Sequence, residues 1–169
     1  MASAANIGYG KSFVDPGGWD DFVAGAKEIW YSQTVRNLVP DLLTVSFDLS
    51  YATFYGAGGS WQLNILTRGK DPGVFFTNAV SARYGLEGDW GLSLGWAYYQ
   101  GSPLNITRQS LTGKSYDLDG GYIYGGNIWT GYSGNDLKWV GAKYGFGLTV
   151  GGSFGVGNTY MGITRPTWP

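Results

Sequence analysis

From Leu43 onward the chain alternates large apolar residues with small or polar ones. In GDWGLSLGWAYYQ, residues 88–100, Leu92, Leu94, Trp96 and Tyr98 fall on one side, and Gly91, Ser93, Gly95 and Ala97 on the other. Strand side chains point to opposite faces with a period of two, so this stretch reads as a strand with one large apolar face and one nearly bare face. The pattern recurs: Leu43, Val45, Phe47, Leu49 and Tyr51 oppose Thr44, Ser46, Asp48 and Ser50. Trp61, Leu63 and Ile65 oppose Gln62 and Asn64, and Tyr144, Phe146, Leu148 and Val150 oppose Lys143, Gly145, Gly147 and Thr149. Turn signals separate these runs at residues 56–60, at RGKDPG (68–73), at 86–89 and at SGND (133–136), with a bend at Gly151 and Gly152. The expectation is a mainly β protein, with a seven- or eight-stranded antiparallel up-and-down sheet or barrel.

Ahead of this region the period is helical. Trp19, Phe22, Val23, Ala26, Ile29 and Trp30 form one apolar stripe. Asp20 and Asp21 near the start and Arg36 near the end match the helix dipole, and Pro40 stops the run. One N-terminal amphipathic helix is therefore expected over residues 19–40, packed on the sheet. A flexible arm (1–18) precedes it, the β domain covers 41–162, and 163–169 is a tail.

The bare face requires an explanation, because glycine weakens a strand unless something approaches closely. The helix could cover it. The sheet could close into a barrel, with glycine permitting tight curvature. Or the aromatic face could meet lipid while the small, polar face lines a lumen, as in outer-membrane barrels.

Composition narrows the chemistry. The 169 residues include 30 glycines, 8 tryptophans and 13 tyrosines, and suit one domain. Charges nearly cancel, 11 basic against 12 acidic, so no nucleic-acid partner held through phosphates is expected. With no histidine and no cysteine, serine or cysteine triads, thiolate sites and histidine zinc sites cannot be built; no metal and no cofactor are expected. No apolar run reaches the roughly 18 residues that a spanning helix needs, and the start lacks the order of a signal peptide.

Any catalyst would rest on carboxylates and cations. Asp117 and Asp119, with Arg108 on the long irregular stretch 101–114, are the candidates, although Asp-x-Asp-Gly also suits a solvated turn and lacks the other ligands of a calcium loop. Glu87 and Asp89 read as a turn pair. Asp48, Arg83 and Lys143 sit mid-strand on the small face and are expected as buried charges that pair with one another or line a pocket. Trp96, Tyr98, Tyr122, Tyr124 and Trp129 are candidates for binding a ligand or an envelope target.

At RGKDPG, preceded by Leu66 and Thr67 and followed by glycine-rich aromatic strands, the chain resembles the C-terminal regions of Rhs-repeat and related polymorphic toxin proteins of Bacteroidota. VRNLVPD, residues 35–41, resembles the start of such a tip, and the similarity runs over about residues 35 to 160. It implies a variable antibacterial effector, carried on a larger secreted protein, delivered to a rival cell and neutralised by an immunity protein. Without histidine, cysteine or a convincing carboxylate pair, the expected action is non-enzymatic, on the membrane or another envelope target. The alternatives are a soluble calycin-like barrel binding a small apolar or sugar ligand, and a carboxylate-based hydrolase.

Overall fold

The computed structural model describes residues 16–162. The chain divides into a helical unit ending at Leu38 and a β unit beginning at Val39.

The helical unit holds two short helices in place of the single one expected: α1 (Pro16–Trp30) and α2 (Gln33–Leu38). Ser32 separates them. Its hydroxyl donates to the Ile29 carbonyl at 2.7 Å and accepts from the Val35 amide at 3.4 Å. That is the N-cap arrangement, in which a serine oxygen satisfies a first-turn amide and starts a new helix. α1 begins three residues before Trp19, with Pro16 in the position where a missing N–H costs nothing. Most of the expected arm and the whole tail lie outside the described residues.

The β unit has four long antiparallel strands forming a curled half-barrel sheet: β1 (Leu42–Leu66), β2 (Gly73–Tyr99), β3 (Gly113–Ser133) and β4 (Asp136–Met161). Their order is β1-β2-β4-β3. Two expectations are thereby corrected. The strands number four among the described residues, not seven or eight, and they are not an up-and-down meander, because β4 lies between β2 and β3. The hairpin signals at 68–73 and 133–136 are real turns. The others are bends inside continuous strands, marked by positive φ at Phe54, Gly85, Ile123 and Gly151. Phe54 pairs with Gly85, and Gly151 pairs with both Glu87 and Gly121, so the bends line up across the sheet.

These bends turn the strands back. A straight strand of 25 residues would span about 80 Å. Yet Thr44 and Asn64, twenty residues apart on β1, share a 2.7 Å hydrogen bond, and the rings of Phe47 and Trp61 lie 5.9 Å apart. On β3 the rings of Tyr116 and Tyr132 are 5.4 Å apart. The apolar core joins both ends of β1 (Leu42, Leu66) and of β2 (Phe75, Ala97, Tyr99) to Trp139 and Met161 at the two ends of β4.

The stretch between β2 and β3 covers this end. It contains two 3-10 turns, Pro103–Asn105 and Arg108–Leu111. Ile106 and Leu111 enter the core, Trp139 Nε1 donates to the Ser110 carbonyl at 2.6 Å, and the Lys70 amide donates to the Ile106 carbonyl at 2.8 Å. Gly69, at φ 118°, passes so close to Ile106 that a Cβ would lie 2.4 Å from the Ile106 carbonyl oxygen. Beside this core Arg68 and Asp41 form a fully buried pair at 2.9 Å, and the Tyr99 amide donates to the other carboxylate oxygen at 3.0 Å.

Candidate functional site: a polar, charged concave face

The sheet is inside out relative to a water-soluble core. The register places Thr44, Ser46, Ser50, Asn64, Thr77, Glu87, Thr149 and Ser153 on the concave face, all buried. On the convex face Leu43, Val45, Leu49, Trp90, Leu92, Leu94 and Trp96 are exposed, as are Tyr144, Phe146, Leu148 and Val150 on β4. The exposures run from 39% at Leu43 to 66% at Phe146 and Leu148.

Seven buried or half-buried charges line the concave face, Asp48, Arg83, Glu87, Asp89, Asp117, Asp119 and Lys143, with the exposed Lys114 at its margin. Missing side chains on β4 bring the first group together. Arg83 on β2, Gly155 on β4 and Asp117 on β3 are in one register row. With no side chain at Gly155, the guanidinium reaches across a whole strand to ion-pair with both Asp117 and Asp119. A Cβ at Gly155 would stand 2.6 Å from the Asp117 carboxylate oxygens, so any side chain there would displace that carboxylate. Glu87 lies 3.9 Å from the same Arg83 nitrogen, accepts from Ser50 Oγ at 2.5 Å, and also accepts from Ser153 Oγ.

A second pair uses the same device. Asp48 on β1 reaches past the glycines of β2 to Lys143 on β4, at 3.5 Å. The hydroxyls of Ser46 (2.8 Å) and Ser93 donate to Asp48. Asp89 accepts from Thr149 Oγ1 at 2.6 Å. Every carboxylate of the face is thus engaged by a donor, as buried charge requires. No group of acidic side chains suited to a metal ion occurs among the described residues.

Asp48, Arg83 and Lys143 are half-buried on the concave face; Lys143 pairs with Asp48, and Arg83 pairs with Asp117 and Asp119. Asp117 and Asp119 lie within β3 instead of on a loop, and Glu87 and Asp89 lie within β2 instead of at a hairpin. Arg108 is not brought to them: it begins the second 3-10 turn, where its amide donates to Asp71 at 3.2 Å. The aromatic candidates split. Trp96, Tyr122 and Tyr124 are exposed on the convex side, and Tyr98 shares their face. Trp129 alone lines the concave face, beside Asn127.

Asn127 was not singled out from sequence. Its Nδ2 donates to Asp119 and, at 3.5 Å, to Asp117. Its place on the small face of β3 was readable from the alternation, but the partners were not. No known protein family, characterised protein or solved structure matches this chain.

Proposed function

We propose that the β unit is embedded in a lipid bilayer and lines a polar conduit through it. The observation that carries this reading is the inversion of the sheet. Large apolar side chains on the convex face are exposed, while hydroxyl side chains on the concave face are buried and its charged side chains are buried or half-buried. A soluble monomer rarely leaves a contiguous apolar patch beyond a few hundred Å² open to water. In lipid the same surface is solvated, and the apolar-out, polar-in alternation is that of membrane β-barrels.

Strand length supports it. Cut at their bends, the four strands give eight segments of ten to fifteen residues. A transmembrane strand needs about 9–11. Eight such segments, brought side by side by the turned-back strands, would make a small barrel wall. Glycine and serine along its inner side leave space that larger side chains would fill. The calycin-like alternative wants an apolar interior and is less well supported by a face carrying seven charges.

The resemblance to toxin tips adds a setting for this activity: a pore-forming effector delivered to a rival envelope by a carrier and held in check by an immunity protein. The experiment is dye release from liposomes of bacterial lipid on addition of the full chain. Release that scales with protein supports the conduit. Folded chain that neither partitions into vesicles nor releases dye removes it. Growth arrest on delivery to the periplasm of a test bacterium, relieved by a co-expressed neighbouring protein, separates an effector from a resident envelope protein.

A further inference from the structure

The concave face contains an unfilled hydrogen-bonding position. Asn127 Oδ1 and Trp129 Nε1 are both buried and both without a hydrogen-bond partner among the described residues. They belong to alternate residues of β3, about 7 Å apart along the strand, and both residues line the same cavity of about 110 Å³. By that measure one water needs roughly 10–15 Å³, so the space admits a cluster of waters or one small solute. Buried polar groups in folded proteins nearly always have partners, and each orphan points to something that completes it.

The chemistry of the two orphans selects the class. One is an acceptor and the other a donor. A cation would satisfy only Asn127 Oδ1, and an anion only Trp129 Nε1. A hydroxyl donates and accepts, so a molecule bearing several hydroxyls satisfies both. The surroundings agree. Trp139 and Tyr132 add aromatic walls, and the Trp129 ring lies against Gly141, where a Cβ would be 2.8 Å from the indole. Asp117 and Asp119, both ion-paired to Arg83, supply acceptors at the polar end.

We propose that this cavity binds a small neutral polyol of monosaccharide size, with hydroxyls donating to Asn127 Oδ1 and accepting from Trp129 Nε1. The proposal names the solute of the conduit and rests on that reading only for the route of entry.

The test is isothermal titration of the folded full chain in detergent with glucose, galactose and mannose. Saturable binding of at least one is expected. Trp129→Phe keeps the ring and removes the donor, and Asn127→Ala removes the acceptor; each should weaken binding about three- to tenfold, the effect of one hydrogen bond. Trp90→Phe, on the convex face, should bind as the parent chain does. Circular dichroism confirms folding of each variant. No saturable binding by folded chain, or equal binding by Trp129→Phe and Asn127→Ala, overturns the proposal and assigns the cavity to water. Binding without liposome leakage leaves the site standing and removes the conduit; leakage without binding does the reverse.

Discussion

Thr44 and Asn64 hydrogen-bond at 2.7 Å across twenty residues of a single strand, and Asn64 passes the contact on to Thr77 Oγ1 on β2, also at 2.7 Å. This pair shows how far the sheet is bent. It also gives a direct test, because the chain has no cysteine of its own. The double variant Thr44→Cys/Asn64→Cys should oxidise to an intrachain disulfide, read as a mobility difference between oxidised and reduced protein. A β1 that ran straight would hold the two thiols tens of ångströms apart and form none.

Arg83 ion-pairs with three carboxylates, Asp117, Asp119 and Glu87, and its side chain is 12% exposed. Arg83→Met should destabilise the sheet by about 3–5 kcal/mol, since it strands buried negative charge. The combined variant Arg83→Met/Asp117→Asn/Asp119→Asn should recover much of that loss, because the charges disappear together. Urea unfolding midpoints of the two variants decide it; a single variant as stable as the parent would mean the cluster is solvated.

Leu92 faces outward at 52% exposure, in register with Phe146. Leu92→Lys separates lipid from water as the surrounding medium. Facing a bilayer, it should cost about 2–4 kcal/mol. On a water-exposed surface the same change stays within about 0.5 kcal/mol. Equilibrium folding into vesicles, compared with the parent chain, reads the difference.

Ile123 holds φ at 70° in a bend of β3, a conformation that a β-branched residue disfavours. Ile123→Gly should raise stability by about 1 kcal/mol, the left-handed penalty less the added freedom of the unfolded chain. The readout is the thermal unfolding midpoint. A fall would show that the isoleucine side chain contributes more by packing than its backbone loses.

The sequence alone determined which residues share a face. A period of two survives any arrangement of the strands, so Leu92, Leu94 and Trp96 had to lie opposite Gly91, Ser93 and Gly95. The inward course of Asp48, Arg83 and Lys143 followed from the same parity. The absence of histidine and cysteine likewise excluded whole classes of catalyst before any fold was known. The tertiary structure decided the rest. Turn residues at 56–60 and 86–89 are chemically the same whether a strand ends or bends, and only pairing with neighbouring strands keeps β1 and β2 continuous there. Strand order was not local either: β4 lies between β2 and β3 because non-adjacent segments pair. That placement puts Gly155 between Arg83 and Asp117, which gathers the charged cluster. The alternation names a face for each side chain, but a long side chain reaching over a glycine meets its partner only when the register of three strands is set.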